Sequence, residues 1–291
     1  MEIVFHIGAN CTDEDRLLRS LLRNADVLGQ DGVRVPGPSN YRRLIRETIQ
    51  GLDGAPPPPG SRDVLIDAIL DDDRTERLVL SNSNFICIHN RIFEKGAFYL
   101  LAEPKIRGLQ ALFPDDEIEF FIAIRNPATF IPEVLSQSKF DDLPTFMRGM
   151  HPTGVKWSDL IRRIRQLAPD SPLTVWCNED TPLIWGRLMR AITGVLPSVP
   201  LVGTHDLLRT IMAPEGMKRM QAYLQINPPP TPQHEQKIIM AFLDKYAIED
   251  LLEEELVLPD FTHELVEELT DAYDDDLDQI AAIPGVTLIE P

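Results

Sequence analysis

The chain has 291 residues, of which 43% are hydrophobic and 25% charged, a composition typical of globular proteins and unlike that of disordered ones. This length can bury the core of one large domain, or of one domain with an appendage. With 46 acidic against 28 basic residues the net charge is −18, which argues against a nucleic-acid partner.

The acidic residues are concentrated in the C-terminal part of the chain. From Tyr246 onward there are 15 Asp or Glu and no Lys or Arg, which leaves 31 acidic against 28 basic residues before it. A run of this kind usually forms a solvated face. No apolar run reaches the roughly 20 residues of a membrane span, and the N-terminus lacks the basic-then-apolar pattern of a signal peptide. We therefore expect a cytoplasmic protein without a membrane partner.

The three cysteines, Cys11, Cys87 and Cys177, show neither metal-ligand nor disulfide spacing. Two of them lie in apolar, strand-like runs, so buried thiols in a reducing compartment are the expected state. No metal site is predicted.

The first twenty residues predict a strand followed by a helix. Residues 2–7 alternate and then run apolar into Gly8, a pattern typical of a buried strand that ends in a turn. Thr12 begins the predicted helix, and residues 13–15 place three carboxylates in its first turn. A strand, a short loop and a helix can present free backbone N–H groups to an anion. However, no Gly-Lys-Ser/Thr completes a phosphate loop, so an acid-capped helix is the favoured interpretation and an anion site the alternative.

The rest of the chain predicts an α/β fold. Further strands are predicted at residues 33–35, 78–80, 118–124 and 173–177, with 85–89 as an extension or a short strand, and helices at 12–29, 41–49, 62–70, 104–113, 127–137, 158–167 and 182–192. Strands separated by helices imply right-handed crossovers and a mostly parallel sheet. Beyond Pro200 the pattern is helical, at residues 214–224, 232–246 and 263–280. We expect a domain at 1–200 and a helical acidic extension at 201–291 packed on it, with apolar faces that include Leu251, Leu252 and Leu256.

Candidate site residues follow the predicted strands. In an open parallel sheet, ligands bind outside the carboxyl ends of the strands, and this rule brings together residues 9–12, 81–84, 125–126 and 178–180. Arg125 is a fixed cation that emerges from a buried strand. It can bind an anion in a bidentate manner, or it can pair with Asp13, Asp15 or Glu179. Both possibilities stay open.

The histidines offer little catalytic chemistry. His6 lies inside the first strand and is expected to be a hydrogen-bonded core residue. His89 is a better candidate, but no carboxylate or serine near it is arranged as a triad. The remaining four have no metal-ligand spacing to one another.

Scattered positions over residues 2–200 resemble the bacterial sulfotransferase family. They are His6-Ile7-Gly8, Thr12 and the Leu-rich helix after it, Gly32-Val33, Val79-Leu80-Ser81, Ile124-Arg125-Asn126-Pro127, Gln137, and Glu179 before a helix that ends at Gly194. The resemblance implies a P-loop-like α/β sheet and sulfuryl transfer from the nucleotide donor PAPS to a hydroxyl or amine. It also implies that Gly8, Thr12, Arg125 and Ser136 bind the donor.

Three departures from the family pattern concern the donor and catalytic sites. Cys11 stands where the family has the Lys that neutralises the phosphosulfate, and residues 13–15 replace its Gly-Thr-Thr. Glu133 stands where the family has the Ser that assists Arg125, and Ser136 is the nearest hydroxyl. The family's acidic residue at the end of the third strand is replaced by Ser83. Ser83 and His89 are the catalytic candidates that remain.

The sequence thus predicts a sulfotransferase-like protein that has diverged at its donor site. Three hypotheses remain: a sulfotransferase with a rearranged site built on Thr12, Arg125 and Ser136, a non-catalytic binding protein on the same scaffold, and an enzyme for a less anionic substrate. PAPS and its product PAP are expected to bind no tighter than the millimolar range. We further expect the first helix to be capped by Thr12 and Asp15, and Arg125 to pair with a carboxylate of that helix or with Glu133. The sequence does not identify a small-molecule acceptor or a protein partner.

Overall fold

A computed structural model of the chain describes residues 1–70, 74–248 and 261–291. Its centre is a sheet of six strands in which every pair of neighbours is parallel, in the order β2-β3-β1-β4-β5-β6. The strands are β1 (Glu2–His6), β2 (Val33–Arg34), β3 (Arg77–Ser81), β4 (Glu117–Ile124), β5 (Leu173–Cys177) and β6 (Val286–Ile289). The predicted α/β fold with a mostly parallel sheet is confirmed.

Helices cover both faces of this sheet, which explains why its central strands are continuous apolar runs. The helices are α1 (Arg16–Leu22), α2 (Ala25–Gln30), α3 (Pro38–Leu52), α4 (Ser61–Ile69), α5 (Ala102–Leu112), α6 (Pro127–Ser136), α7 (Leu143–Met147), α8 (Trp157–Leu167), α9 (Thr181–Thr193), α10 (Pro214–Ile226), α11 (Pro232–Tyr246) and α12 (His263–Ala281). Val4 and Trp176 face α1, α2 and α9, whereas Phe5 and Ile122 face the layer that contains α3, α5, α6, α8 and α12.

The helices that follow β1 and β4 lie on opposite faces of the sheet, although the two strands are neighbours. Leu17 and Leu21 of α1 pack with Trp176 on one face, and Phe130 of α6 packs with Ile122 on the other. Because the chain leaves adjacent strands in opposite directions, a crevice opens between their carboxyl ends. A ligand site is therefore expected at this rim, where the candidate residues are predicted to lie together.

The first predicted helix differs from the observed one at both ends. It begins at Arg16 rather than Thr12, because Glu14 and Asp15 have φ values of 49° and 63°, outside the right-handed helical region. It stops at Leu22, and α2 begins at Ala25. Between them the Asn24 side chain donates to the Ser20 and Val202 carbonyls and accepts the Val202 amide hydrogen, which interrupts the helix. Residues 85–89 form no strand and lead into a single 3₁₀ turn, His89–Arg91.

The C-terminal part contributes directly to the sheet. α12 packs against α6 and α8, and β6 pairs with β5 as the last strand. The prediction of an all-helical segment after Pro200 is therefore wrong at β6, while the division of the chain at Pro200 stays a prediction. Leu251, Leu252 and Leu256 lie outside the described residues. In the part of the chain that the structure describes, no helix is long and apolar enough to cross a membrane.

Candidate functional site

The loop after β1 is held in place by its neighbours. Gly8 has φ 121°, and a Cβ at this position would lie 3.1 Å from the Ser83 carbonyl oxygen, so glycine permits the close approach of the two loops. The buried Asn10 donates from Nδ2 to Asn84 Oδ1 at 2.9 Å. The Tyr99 hydroxyl donates to Asn10 Oδ1 at 2.7 Å and accepts the Asn10 amide hydrogen at 3.2 Å. These bonds fix the backbone that leads to α1.

Asp13 caps the start of α1 with its own carboxylate. Its Oδ1 accepts the amide hydrogen of Asp15 at 3.1 Å, and its Oδ2 accepts that of Leu17 at 3.2 Å. The Thr12 hydroxyl instead donates to the Ala9 carbonyl at 2.8 Å. The predicted self-capping is therefore present, but the predicted capping residues Thr12 and Asp15 are wrong. The left-handed conformations of residues 14 and 15 shift the helix start and bring Asp13 into the capping position.

Asp15 takes part in a different contact. Its carboxylate accepts hydrogen bonds from both terminal nitrogens of Arg42, at 2.5 and 2.9 Å. Arg42 Nε donates to the Ser81 carbonyl at 2.9 Å. The hydrogen bonds from Arg42 lower the pKa of Asp15. The pair thus ties the loop after β1 to α3 and to the end of β3.

Arg125 is buried at the end of β4 and joins that strand to the first loop. Its Nη1 donates to the Cys11 carbonyl at 2.8 Å and its Nε donates to the Thr129 hydroxyl at 3.0 Å. Glu133, one expected partner, accepts a hydrogen bond from the side chain of Gln137 at 2.6 Å. Asp15 is occupied by Arg42, as described above. That Arg125 pairs with a carboxylate stays a prediction.

A cleft of about 540 Å³ lies at the carboxyl ends of β1, β4 and β5, and we call it the rim cleft. Its charged lining residues are Asp13, Arg16 and Glu179. Trp185 and Ile211 contribute apolar walls. Its hydroxyl and amide groups come from Thr12, Asn126, Thr129, Asn178, Thr181 and Thr210. The cleft is therefore rich in neutral hydrogen-bonding groups and carries one cation against two acids among the described lining residues.

Glu179 lines the rim cleft, and both of its carboxylate oxygens accept a hydrogen bond from the protein. It keeps an exposed surface, but Oε1 accepts the Asn126 amide hydrogen at 2.7 Å and Oε2 accepts the Tyr273 hydroxyl at 3.3 Å. The surrounding protein removes water from the carboxylate and raises its pKa, against the opposing effect of these hydrogen bonds. Burial also raises the pKa of Tyr273 above its ordinary value. Glu179 is thus held in one orientation and is easier to protonate than a free glutamate.

α12 supplies residues that position the rim cleft and that sequence reasoning did not find. Tyr273 orients Glu179, and the Thr270 hydroxyl accepts from Asn126 Nδ2 at 3.0 Å. Asn126 in turn caps α6 by accepting the Ala128 amide hydrogen. Tyr273 and Thr270 lie on an acidic, amphipathic helix without any local motif, so no sequence signal distinguished them from core residues.

The other sequence candidates occupy separate places. Ser83 lies beside Gly8 in the loop after β3. Ser81, the last residue of β3, makes a hydrogen bond of 2.9 Å with Nδ1 of the buried His6, which confirms His6 as a core histidine. His89 is half-buried, and burial lowers its pKa. Ser136 is exposed at the end of α6, with its hydroxyl on the Glu133 carbonyl at 2.7 Å. Ser83, His89 and Ser136 are not among the described residues that line the rim cleft.

The cysteines provide no reactive group at this rim. All three are free thiols, Cys87 and Cys177 are buried, and Cys11 is half-buried. Burial raises the pKa of each thiol to about 12, so each stays protonated near neutral pH. Within the described ranges, no group of three or more His, Cys, Asp or Glu is placed to hold a metal ion.

Comparison of the chain with protein-family models, with curated proteins and with solved structures found no match. Its function is therefore inferred from the residues of the rim cleft.

Proposed function

We propose that the chain is a diverged sulfotransferase-like protein whose rim cleft binds a small ligand of low charge, and that PAPS and PAP bind no tighter than the millimolar range. The observation that carries this proposal is the carboxylate of Asp13 on the amides of Asp15 and Leu17. An anion at the start of this helix would meet a fixed negative charge in place of open N–H donors.

Two features of the scaffold support the proposed sulfotransferase-like origin. A parallel sheet places the loop after β1 beside the end of β4, where Arg125 is buried and contacts the Cys11 carbonyl. Helices on opposite faces open a crevice between these two strands, which is where such sheets bind ligands. These features support a sulfotransferase-like origin for the fold, and the cleft chemistry decides what it binds.

Charge explains the expected weak binding of a nucleotide with several phosphates. Cys11 replaces the family's Lys and stays a neutral thiol, since burial raises its pKa to about 12. The lost cation removes a charge-assisted contact worth about 1.5–3 kcal/mol, or one to two decades in affinity. Asp13 adds repulsion, and two like charges near 4 Å repel by about 4 kcal/mol at an effective dielectric of 20. Arg16 is exposed and cannot offset both effects.

The lining residues favour a ligand that carries hydroxyl or amine groups. The Thr12 and Thr129 hydroxyls donate to the Ala9 and Asn126 carbonyls and can accept hydrogen bonds from a ligand. The Asn178 amide offers both a donor and an acceptor, and Trp185 offers an apolar wall. Such groups orient an uncharged ligand through hydrogen bonds without the need for a counter-charge.

One observation favours catalysis over binding alone. Glu179 faces the rim cleft with a raised pKa and is held by Asn126 and Tyr273. A positioned carboxyl group with a raised pKa can accept a proton from a ligand hydroxyl or amine. An enzyme that acts on a substrate of low charge is therefore our second candidate function.

Calorimetric titration of Asp13→Asn with PAP tests the role of Asp13. The asparagine keeps a side-chain oxygen for the Leu17 amide but lacks the charge, so we expect PAP to bind tighter than to the wild type. Glu14→Gln is the matched control, because Glu14 is exposed and contacts only Arg16, at 3.4 Å, among the described residues. Equal PAP affinity in Asp13→Asn and the wild type would show that Asp13 does not set the anion preference.

A further inference from the structure

A second cavity, of about 290 Å³, lies between α3, the start of α5 and the segment after β3. We call it the basic cavity, because four cationic side chains line it: Arg42, Arg46, Arg91 and Lys105. No carboxylate is among its described lining residues, in a chain that carries 46 acidic residues. The local charge is thus opposite in sign to that of the whole protein.

The arginines are placed by carboxylates that lie outside the cavity lining. Arg42 is held by Asp15, and Arg91 makes two hydrogen bonds to Glu94, at 2.6 and 2.9 Å. Arg46 is exposed and lies 3.7 Å from Glu47. A guanidinium has five N–H donors, so each arginine keeps donors that these carboxylates do not use. The side chains are therefore positioned without being saturated.

Lys105 differs from the three arginines. It is half-buried, and its ammonium makes no hydrogen bond or ion pair within the described part of the chain. Burial and the positive charges of Arg91 and Arg46 together lower its pKa. A cation held near like charges without a counter-ion is unfavourable, and a bound anion would relieve that repulsion.

Apolar side chains complete the walls of the basic cavity. Ile49, Phe85 and Leu101 line it, and Ile88 lies at its surface with 46% of its area exposed. The volume is close to the lower limit, about 300 Å³, of typical small-molecule sites. The combination of an apolar wall and fixed cations suits a molecule with one anionic group and one apolar body.

We propose that the basic cavity binds a small organic anion, with its carboxylate or phosphate group at Lys105 and the arginines and its apolar body against Ile49, Phe85 and Ile88. This proposal does not rest on the function of the rim cleft, since no described residue lines both cavities.

Ligand-observed fluorine NMR tests the proposal with three probes of similar shape. They are 4-fluorophenyl phosphate, 4-fluorobenzoate and the neutral 4-fluorobenzyl alcohol. We expect saturable binding of at least one anion at low millimolar concentration and much weaker binding of the alcohol. Which anion binds tighter identifies the preferred group. Absence of saturable binding for both anions, or equal binding of the alcohol, would overturn the proposal.

Two matched pairs of variants assign the binding to this cavity. Lys105→Met keeps an unbranched apolar chain and should weaken binding about tenfold or more, as expected for the loss of a charge-assisted contact. Lys218→Met, on an exposed position of α10, should change it less than about twofold. Ile88→Glu places a carboxylate at the cavity surface and should abolish anion binding, whereas Ile88→Gln should retain it. If the members of either pair bind the anion equally, the site lies elsewhere.

Discussion

The Oδ2 atom of Asp13 lies 3.2 Å from the backbone nitrogen of Leu17 and accepts its hydrogen. This one contact links the stability of the first crossover helix to the ligand preference of the rim cleft. A carboxylate that satisfies a helix amide stabilises the helix and also repels any anion that approaches the same amide. The two consequences can be measured separately.

The stability consequence is measured with Asp13→Ala. Removal of the cap leaves the amides of Asp15 and Leu17 without their acceptors, and we expect the free energy of unfolding to fall by about 1 kcal/mol. Asp13→Asn should lose less, because an amide oxygen can still cap. Glu14→Ala, an exposed neighbour, should change stability by less than about 0.5 kcal/mol. Urea denaturation that shows equal losses for Asp13→Ala and Glu14→Ala would contradict the capping role.

The contact between Asp15 and Arg42 should contribute a coupling energy that depends on pH. A double-mutant cycle with Asp15→Asn and Arg42→Met should give about 1 kcal/mol at neutral pH, since the pair is partly solvated. Arg42 lowers the pKa of Asp15 below its ordinary value of 3.8. The coupling should therefore be fully present above pH 3.8 and decline as the pH falls through the lowered pKa. A coupling that is zero at neutral pH would mean that solvent screens the pair completely.

How far the sequence predicts this fold depends on how local each signal is. The β4 strand is predicted at residues 118–124 and observed at Glu117–Ile124, because a long aromatic and β-branched run favours a buried strand by itself. β6 is only four residues long, and the open edge of β5 provides the hydrogen bonds that make it a strand. The run Val286–Ile289 is rich in β-branched residues, but it does not indicate by itself that β5 lies beside it, so the place of β6 in the sheet is not encoded locally.

The candidate site shows the same difference between signals that are local in the sequence and contacts that form only in the folded chain. The rule for parallel sheets brings Thr12, Asn126 and Glu179 together, and the rim cleft contains all three. Ser136, which the resemblance places at the donor site, is exposed at the end of α6, and its role there stays a prediction. Tyr273 bonds Glu179 across 94 positions of sequence, a tertiary contact that no spacing rule predicts.

Glu179→Gln should change how stability depends on pH. The folded protein raises the pKa of Glu179 above 4.5, so its ionisation is less favourable in the folded state than in the unfolded state. Wild-type stability should therefore decline, relative to the variant, as the pH rises from 4.5 through the raised pKa. Glutamine does not titrate and keeps an oxygen for the Asn126 amide. Denaturation curves between pH 4 and 8 that differ by a constant amount would show that the pKa of Glu179 is not raised.

α12 should be an integral part of the main core. Ile280 is fully buried in the same cluster as the inner residues of β4 and β5. Ile280→Ala should reduce the free energy of unfolding by about 2–5 kcal/mol in a single cooperative transition. Leu196→Ala, at a position that is 70% exposed, is the control and should have little effect. A loss confined to a separate, early transition would instead identify the C-terminal part as an independent module.

Calorimetric titration of the wild-type chain with PAP, at neutral pH and physiological salt and with adenosine as the uncharged comparison, measures whether the rim cleft rejects phosphate groups. Asp13 and Glu179 line the rim cleft, and the neutral Cys11 stands where the resemblance to sulfotransferases would require a Lys, so the phosphates should add no affinity. We predict that PAP binds no tighter than the millimolar range and no tighter than adenosine. A micromolar dissociation constant for PAP, lost on removal of its phosphates, would instead indicate a functional donor site.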